Sequence, residues 1–517
     1  MRMIKNGVGR EIPEYLEHIG KLVPYENAFS IMPEGNKVGS KLKRQLPHKS
    51  KLISSIKEAI KACGLKDGMT ISFHHHLRNG DYIINMVMDA IASLGIKDLK
   101  LAPSSLNPCH APLIEHIKNG VITSIETSGI REPLGTAISQ GILPNPVVIR
   151  SHGGRARAIE SGELKIDVAF LGVPCCDEYG NANGFYGKSA FGSLGYALVD
   201  AKYADKVVLI TDNLVDYPCL PASINQSQVD YVVKVGSIGD PKGIVSGAIR
   251  FTKNPRDILI AENAVKAIEA SGYFKNGFSY QTGAAGASLA VTQFLREKMI
   301  NQNIKGSFAL GGITSQIVQL LEEGLFKGIF DTQCFDLDAV RSIGQNPKHF
   351  EIDAATYASP FNAGCIANYL DIVMLGAMEI DTDFNVNVIS GSDGIISQAA
   401  GGHQDTAAGA KMSVVLAPLI RARIPIIVDK VTTVVTPGET VDVIVTDYGI
   451  AVNPRRQDLI DRFKEAKLKL YDIEELKEIA EKITGTPERI KFKDKIIGVV
   501  QYRDGSVIDV LREVDDA

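Results

Sequence analysis

Two stretches of this sequence decide the fold: Asp167–Val173, which reads DVAFLGV, and Asp371–Ala377, which reads DIVMLGA. Each begins with an aspartate, continues as an apolar run and carries a glycine near its end. Polar residues that follow also align at the same offset, Asp177, Asn181 and Asn183 with Asp381, Asn385 and Asn387. A constant offset over so long a distance indicates an internal repeat, and a repeat sets the architecture of the whole chain.

Each half alternates short apolar runs with segments of helical periodicity. The predicted strands are Met69–Phe73, Asp98–Leu101, Val147–Arg150, Asp167–Gly172 and Lys206–Thr211, then Phe278–Gln281, Ser307–Leu310, Asp371–Leu375 and Met412–Leu416. The predicted helices are Asp81–Leu94, Ala111–Asn119 and Arg155–Ser161, then Ala287–Ile300 and Ser315–Glu323. This alternation predicts an α/β fold built from βαβ units with mainly parallel sheets. Because the strands are almost continuously apolar, we expect both faces of each sheet to be covered.

The repeat also divides the chain into domains. We expect an N-terminal extension over 1–50, a first α/β domain over 51–250 and a second over 251–517. Within the extension, Ile12–Leu22 has the apolar spacing of a short helix. The second domain is predicted to end in a C-terminal tail, with a helix at Ile473–Ile483 and a hairpin of Ile496–Tyr502 and Ser506–Leu511.

Composition narrows the function classes. The 517 residues are 45% hydrophobic and 22% charged, which is ordinary for a globular chain. The 56 Lys and Arg are balanced by 60 Asp and Glu, a net charge of −4, so no basic surplus favours nucleic-acid binding. No apolar stretch is long enough to span a bilayer, and Met1–Arg10 lacks the apolar core of a signal peptide. The seven cysteines are an odd number at scattered positions, so we expect a reduced, cytoplasmic protein.

The acids after the second repeated strand are the first candidates for chemistry. Glu379 and Asp381 follow the strand Asp371–Leu375, and ligands of parallel sheets bind beyond the carboxyl ends of strands. Burial there raises the pKa of a carboxylate and its nucleophilicity. A solvated turn acid is the more ordinary interpretation of either residue. The repeat nevertheless favours a function, because the position that matches Glu379 in the first half is Cys175, although the neighbouring positions match.

Two Gly-Gly turns supply backbone amides. Gly401 and Gly402 precede a short helical pattern, and Gly311 and Gly312 follow the predicted strand Ser307–Leu310. Exposed N–H groups of such turns stabilise a developing oxyanion or bind a carboxylate. Each pair is also compatible with an ordinary tight turn. Neither pair belongs to a Gly-x-Gly-x-x-Gly fingerprint or to a Walker loop.

Histidines cluster at another strand end, where His74-His75-His76 is followed by Arg78. Because side chains alternate along a strand, His74 and His76 share one face. The sequence contains no further ligand group at the spacing of a zinc shell, so we expect no metal site. The cluster is better interpreted as a wall for an anionic ligand.

A third strand end carries the run SHGGRAR, which contains Gly153, Gly154 and Arg155. Glycine amides together with a guanidinium suit a polycarboxylate. An ordinary loop with an exposed helix face explains the run equally well. Asn183 lies in Asn181–Gly187, a segment rich in turn residues that either lines a pocket or forms a plain turn.

These features together resemble the CoA-transferase superfamily. In its acetate and 4-hydroxybutyrate branch, the catalytic Glu lies in an Ala-x-Glu-Val-Asp-x-x-x-x-Val-Asn stretch, which Ala377–Asn387 resembles. A Gly-x-Gly-Gly-Gln segment follows in that branch. Ala399–His403 aligns with it, with Ala399 in place of the first Gly and His403 in place of the Gln. The resemblance implies two CoA-transferase-like domains.

The candidate site comprises Glu379 as the catalytic residue, Gly401, Gly402, Gly311 and Gly312 for the oxyanion or acyl group, and His74, His76, Arg78, Gly153, Gly154, Arg155, Asn183 and Asn387 for the substrate. In the acetate branch the Glu attacks the thioester and carries the thiol covalently. For Glu379 we leave two roles open, nucleophile and positioning group.

The resemblance is closer to the citrate lyase alpha-subunit family, as carried by Asn6–Arg10, Phe73–Gly80, Ser151–Arg157 and Gly180–Gly187. It implies a transferase that exchanges acetyl for citrate on the thiol of an acyl carrier, also with acetyl-CoA, in a ternary complex without an enzyme thioester. The implied partners are the acyl carrier (gamma) and lyase (beta) subunits, in a complex in which the chain is a homo-oligomer. The CoA-like prosthetic group of the carrier is then a substrate, and no cofactor is bound permanently.

Other functions remain open on the sequence. The chain also fits a citramalate transferase or a general CoA-transferase that acts on acetate. A non-catalytic metabolite-binding module on the same scaffold is the alternative of another class, and Glu379 at the asymmetric position counts against it.

Overall fold

A computed structural model of the protein describes residues 2–31, 37–41, 43, 49–245, 252–283, 286–362 and 364–515. Within these ranges, two large sheets organise the molecule. The first has the strand order Val507–Val514, Phe492–Gln501, Val147–Ile149, Ile122–Thr127, Leu99–Leu101, Thr70–Ser72, Val168–Val173, Lys206–Thr211, Tyr231–Lys234 and Leu52–Ile53. The second has the order His349–Glu351, Phe326–Cys334, Gly306–Ile313, Tyr280–Gln281, Ile372–Gly376, Met412–Leu416, Val443–Val445 and Ile450–Val452.

The two sheets confirm the predicted repeat. In each half the repeated strand, Val168–Val173 or Ile372–Gly376, lies between the first and the last strand predicted for that half, and all three run parallel. The aspartates before these strands, Asp167 and Asp371, each accept a hydrogen bond from a backbone amide of the neighbouring segment, at 2.8 and 2.9 Å. The chain is therefore two α/β halves of the same topology.

Helices connect the strands and bury their apolar faces against the sheets. The α-helices are Ile56–Cys63, Ile83–Ser93, Leu113–Lys118, Leu134–Ser139, His152–Glu160, Gly195–Tyr203, Pro255–Ala270, Gly286–Asn301, Ser315–Glu322, Leu337–Gln345, Ala354–Ala358, His403–Gly409, Gln457–Glu465 and Ile473–Thr484. Each predicted helix of the two halves forms, with its ends shifted by less than a turn. In the part of the chain that is described, no helix combines the length and the apolar character needed to cross a membrane.

A short hairpin follows each repeated strand and leads to the candidate residues. In the first half Cys175–Cys176 pairs with Ala182–Asn183. In the second half Glu379–Asp381 pairs with Val386–Asn387, and Ile427–Val428 joins on the other side. The position of Glu379 in this hairpin therefore corresponds to that of Cys175, as the repeat predicts.

The C-terminal hairpin returns to the first half. Its strand Phe492–Gln501 pairs in parallel with Val147–Ile149 and so forms the edge of the first sheet. We expected this hairpin in the second domain; it lies instead where it covers the strand edge that Val147–Ile149 would otherwise expose. The predicted boundary between 250 and 251 falls within 246–251, outside the described residues, and stays a prediction.

The predicted helix at Ile12–Leu22 is wrong. Three short strands form there instead, Glu11–Pro13, Tyr15–Leu16 and Gly20–Lys21. His18 and Gly20 have φ angles of 66° and 101°, left-handed values that interrupt an α-helix. The apolar side chains that suggested a helical face are buried together with residues of the C-terminal hairpin, so their spacing reflects packing on that hairpin.

Candidate active site between the two halves

A cavity of about 270 Å³ lies between the two halves, and we call it the central cavity. The first half contributes His75, Arg78, Ser105, Arg131, His152 and Tyr196 to its wall. The second half contributes Gln281, Gly311, Gly312, Thr332, Gln333, Phe335, Tyr357, Gly376, Gly401, Gly402 and His403, among others. Several of these residues follow the carboxyl ends of parallel strands, the usual place for a ligand in such sheets.

Two guanidinium groups in this wall lack a carboxylate partner among the residues described. Arg78 donates to the carbonyl of Ile244 at 3.2 Å and lies 5.1 Å from the centre of the Phe335 ring. Arg131 donates to Ser105 Oγ at 3.5 Å and to Asn107 Oδ1 at 3.4 Å. Burial lowers the pKa of both, that of Arg78 to about 10. A guanidinium is charged at neutral pH in proteins. Two cations without counter-charges suit a ligand with more than one carboxylate.

The turn predicted at Gly401 and Gly402 lies in the cavity wall, and the backbone amides of both residues lack an acceptor in the described part of the chain. Gly401 has a φ of 56°, and a Cβ on Gly402 would lie 2.2 Å from the hydroxyl of Tyr357. Glycine is therefore needed at both positions, and the two amides are available to an oxyanion.

Gly311 and Gly312 also lie in the cavity wall, where the missing side chain of Gly312 leaves room for the Phe335 ring. Gly311 has a φ of 106°, which favours glycine, and a Cβ on Gly312 would lie 2.0 Å from the ring of Phe335. The Phe335 ring, over which Arg78 lies, can occupy its position only because Gly312 has no side chain.

Three buried polar atoms in the wall have no hydrogen-bond partner among the residues that the structure describes: His152 Nδ1, Gln281 Oε1 and Thr332 Oγ1. Burial lowers the pKa of His152 to about 3 and that of His75 well below its ordinary value. Both rings are therefore neutral at neutral pH, and they offer hydrogen bonds but no charge. Unpartnered buried polar atoms usually contact water or a ligand, so the cavity wall is prepared for a polar occupant.

The histidine cluster faces the cavity with its middle residue. His74 Nε2 donates to the carbonyl of Gly172 at 2.8 Å, and His76 Nδ1 lies 2.8 Å from His74 Nδ1. His74 and His76 do share a face, as predicted, but that face packs inside the protein. His75 lies in the cavity wall, with its ring centre 6.3 Å from that of His76 and its Nδ1 2.6 Å from Ser104 Oγ.

Gly153, Gly154 and Arg155 have partners inside the protein. The amide of Gly153 donates to Asp405 and that of Gly154 to Ser151 Oγ, both at 2.9 Å. Arg155 forms a two-point ion pair with Asp200 at 2.8 and 2.9 Å. In the same run it is His152 that reaches the central cavity. Neither those amides nor the Arg155 guanidinium lies among the groups that line it.

Glu379 lies in a different cavity, of about 300 Å³, which we call the lateral cavity. Its Oε2 accepts hydrogen bonds from Asn387 Nδ2 at 2.9 Å and from the amide of Thr432 at 2.7 Å. Its Oε1 accepts one from Thr432 Oγ1 at 3.0 Å. Burial raises the pKa of Glu379, while these donors and the nearby charge of Arg10 oppose that shift. Arg10, Lys430, Arg489 and Phe492 also line the lateral cavity.

The two predicted asparagines hold their hairpins together. Asn387 Nδ2 also donates to the carbonyl of Ser390 at 3.1 Å. Asn183 Nδ2 donates to the carbonyl of Pro221 at 3.0 Å and lies outside both cavities. Among the described residues, no cluster of three or more His, Cys, Asp or Glu could hold a metal ion.

Sequence reasoning missed several wall residues, above all Arg131 and Tyr196. Arg131 follows the strand Ile122–Thr127, which we did not predict, so the rule about strand ends was never applied there. Tyr196, on the helix Gly195–Tyr203, packs against His152 with the ring centres 4.4 Å apart and the rings tilted by 39°. No local pattern marks that tyrosine as a cavity residue.

Comparison with known proteins identifies the family. The model of the family described as citrate lyase, alpha subunit, matches residues 49–514. The chain belongs to the citrate lyase alpha-subunit family. The citrate lyase alpha chain of Klebsiella pneumoniae is 59% identical over 467 residues, which cover 90% of this chain and 92% of that one. The alpha chain from Escherichia coli K12 is 55% identical over 466 residues, which cover 90% of this chain and 91% of that one.

Solved structures agree with membership in the citrate lyase alpha-subunit family. One from Streptococcus mutans, described as an alpha subunit of citrate lyase in complex with citrate, has a TM-score of 0.96 at 56% identity, covering 99% of this chain and 100% of that one. A malonate decarboxylase alpha subunit from Acinetobacter baumannii shares the fold alone, with a TM-score of 0.62 at 14% identity over 85% of this chain and 96% of that one. The predicted resemblance, α/β fold class and transferase class are confirmed. A citrate lyase alpha subunit is one component of a multi-subunit enzyme.

Proposed function

We propose that the chain exchanges acetyl for citrate on the thiol of an acyl carrier, and that citrate binds in the central cavity. The observation that carries the proposal is the pair of cations Arg78 and Arg131, which have no carboxylate partner in the described part of the chain. The relative from Streptococcus mutans, which is described as a complex with citrate, supports the choice of ligand.

Citrate carries three carboxylates, and the wall offers cations for two of them. Arg78 and Arg131 pair with two of them, and the third is left to react. The unpartnered atoms His152 Nδ1 and Thr332 Oγ1 are available to the remaining oxygens and the hydroxyl of citrate. Because a cavity of about 270 Å³ also has to admit the acetyl thioester, we expect the carrier arm to enter with only its end inside.

The chemistry requires two acyl transfers. A citrate carboxylate oxygen attacks the acetyl carbonyl carbon, the thiolate of the carrier leaves, and a mixed anhydride of citrate and acetate results. The thiolate then attacks the citryl carbonyl carbon, acetate leaves with the bridging oxygen, and the citryl thioester remains. Each step passes through a tetrahedral oxyanion, which the amides of Gly401 and Gly402 stabilise; one such donor is typically worth about 10²–10³ in rate.

For Glu379 we propose a positioning role. Its carboxylate is held by Asn387 and Thr432 and opens on the lateral cavity. A covalent role would require the carboxylate to give up these donors and turn into the central cavity. Positioning requires no such movement, since the carboxylate already joins the hairpin to the segment that carries Thr432.

Trapping separates the two roles of Glu379. We expect that incubation with acetyl-CoA and borohydride, followed by mass spectrometry, leaves the side chain of Glu379 unreduced. A reduced Glu379 would establish the covalent route and overturn the positioning role. Full activity of Glu379→Ala would exclude both.

The proposed partners are the acyl carrier (gamma) and lyase (beta) subunits, with further copies of this chain in the complex. The prosthetic group of the carrier, or CoA in its place, is a substrate, and we propose no permanently bound cofactor. We also propose a cytoplasmic location, in keeping with scattered cysteines that the structure leaves as free thiols.

The decisive assay compares citrate, citramalate and acetate as acceptors of the acetyl group. We expect exchange with citrate, and a rise in the KM for citrate of about tenfold or more in Arg78→Gln and in Arg131→Gln. Arg341→Gln, a surface change on the helix Leu337–Gln345, is the matched control and should leave the KM unchanged. Equal exchange with acetate would favour a general CoA-transferase, and binding of citrate without exchange would favour a non-catalytic module.

A further inference from the structure

Three segments of the chain meet behind the central cavity at one buried carboxylate, Asp405. Its Oδ1 accepts a hydrogen bond from Ser151 Oγ at 2.9 Å, and its Oδ2 accepts one from the amide of Gly153 at 2.9 Å. Arg503, in the turn of the C-terminal hairpin, places its Nε 3.7 Å from Oδ1. We call this group of residues the Asp405 junction. It joins the helix His152–Glu160 of the first half to the helix His403–Gly409 of the second.

The junction lies next to two parts of the cavity wall. His152 stands between Ser151 and Gly153, the two donors to Asp405. The turn of Gly401 and Gly402 directly precedes the helix that carries Asp405. The amide of His152 donates to the carbonyl of Gly401 at 2.7 Å. A shift of Asp405 would therefore move the His152 ring and the free glycine amides relative to each other.

The packing around the junction leaves little room for adjustment. A Cβ on Gly153 would lie 2.2 Å from the carbonyl oxygen of Ala358 and 2.6 Å from Asp405 Oδ1. Arg503 reaches the same carbonyl of Ala358 with its Nη2 at 3.0 Å. The three segments are in contact, so the carboxylate defines their spacing.

Stability alone does not explain a charge in this place. Asp405 is fully buried, and burial raises its pKa to about 6, so the ionised form is disfavoured there. In the described part of the chain Arg503 Nε has no hydrogen-bond partner, so the ion pair compensates the buried charge of Asp405 only incompletely. A buried pair of this kind is often no more stable than apolar residues of the same volume.

We propose that Asp405, supported by Arg503, is a positioning residue for acyl exchange, which sets the amides of Gly401 and Gly402 against the acyl group. The inference rests on the proposed function. Arg78 and Arg131, the groups proposed to bind citrate, lie on other segments and have no contact with Asp405 in the described structure. Of the groups proposed to contact citrate, the neutral His152 adjoins the junction and the two cations do not, so loss of the junction should lower kcat far more than it weakens citrate binding.

The test compares kcat with citrate affinity in Asp405→Asn, which keeps the size of the side chain but not its charge. We expect kcat for exchange to fall about tenfold or more, with the Kd for citrate, measured by calorimetry, within twofold of the parent protein. Asp442→Asn is the matched control: Asp442 pairs with Arg456 at 2.9 Å and accepts from the amide of Ser413 at 2.8 Å, away from both cavities. It should leave kcat within twofold.

A second pair of variants covers the case in which Asp405→Asn does not fold. Arg503→Lys retains a cation at the junction and Arg503→Gln removes it, so we expect kcat to fall more in Arg503→Gln. An unchanged kcat in Asp405→Asn, equal values in the two Arg503 variants, or a parallel loss of kcat and citrate affinity would each overturn the positioning role. A parent protein without citrate-dependent exchange would instead contradict the proposed function, so the two failures are distinguishable.

Discussion

The short hairpins after the two repeated strands are built alike around one aspartate each. Asp177 accepts hydrogen bonds from the amides and the asparagine of its own turn at 2.8–3.1 Å, and from the amide of Cys219 at 2.9 Å. Asp381 accepts the corresponding bonds at 3.0–3.4 Å, the last of them from the amide of Val431. In both halves the carboxylate thus closes the turn and ties it to a loop that covers the hairpin.

The hairpins differ in the residue that faces this covering loop. Cys175 is buried with its Sγ 3.4 Å from Cys219 Sγ, and it lines neither cavity. Glu379, at the matching position, meets Thr432 and opens on the lateral cavity. The difference teaches that a duplicated scaffold can retain the residues that shape a turn while one side chain decides whether the site is closed or open.

Replacing Cys175 in the closed first hairpin by the glutamate of the second should cause the largest loss in the free energy of unfolding. Cys175→Glu would place a longer, charged group where the buried thiol now lies 3.4 Å from Cys219 Sγ. We expect a loss of about 5 kcal/mol in the free energy of unfolding, from overpacking and burial of a carboxylate. Thermal unfolding followed by circular dichroism measures it, with Cys175→Ser as the control. A loss below about 1 kcal/mol would mean that the first hairpin can open as the second does.

Replacing the turn aspartates should also destabilise the first hairpin more than the second, but the losses in the free energy of unfolding should be smaller than for Cys175→Glu. Asp177→Ala removes shorter hydrogen bonds than Asp381→Ala, and each change leaves buried donors unpaired. We expect losses of about 3 kcal/mol for Asp177→Ala and about 2 kcal/mol for Asp381→Ala in the free energy of unfolding. Urea unfolding of both variants, beside Asp177→Asn and Asp381→Asn, checks the order. A larger loss in Asp381→Ala would contradict the view that the first hairpin is the more tightly closed.

The comparison also explains what the sequence could predict. The repeat, the strand order around Val168–Val173 and Ile372–Gly376, and the Cys175–Glu379 correspondence all follow from local pattern, because βαβ units are built from consecutive residues. The place of the C-terminal hairpin did not follow. It is determined by a free sheet edge at Val147–Ile149, a partner that is remote in the chain.

The candidate site was predictable in part for a related reason. Alternation correctly grouped His74 with His76, whose rings contact each other, but no pattern in the sequence says which of the three side chains lines a cavity, and His75 is the one in the cavity wall. The run that contains Arg155 has the residue types of an anion-binding site. The charge of Arg155 is nevertheless neutralised by Asp200, which lies on a separate helix. Burial and pairing by distant residues decide which of several similar side chains remains free.

The reverse substitution, Glu379→Cys in the second hairpin, should lower the free energy of unfolding only slightly. In Glu379→Cys the amide of Thr432 and Asn387 Nδ2 lose their acceptor, but the lateral cavity lets water take its place. We therefore expect a loss of only about 1 kcal/mol in the free energy of unfolding, measured by urea unfolding. Glu379→Gln, which keeps one oxygen acceptor, is the control and should lose less. A loss as large as that of Cys175→Glu would show that both positions are closed.

The smallest expected effect is a dependence of the free energy of unfolding on pH that comes from the Glu379 carboxyl. Burial raises the pKa of Glu379 above its ordinary value of 4.5, so in the range between the unfolded and folded pKa values the folded protein binds more protons than the unfolded chain. Stability conferred by this carboxyl is therefore greatest below its unfolded pKa and declines as the pH rises through the folded pKa.

The difference in the free energy of unfolding between the parent protein and Glu379→Gln should shift by less than about 1 kcal/mol over that range and be constant on either side. Cys175→Ser should show no shift there, since a thiol does not titrate in acid. A parent protein that instead gains stability over Glu379→Gln as the pH rises would mean that Asn387, Thr432 and Arg10 outweigh burial, and that the open hairpin holds its carboxylate charged.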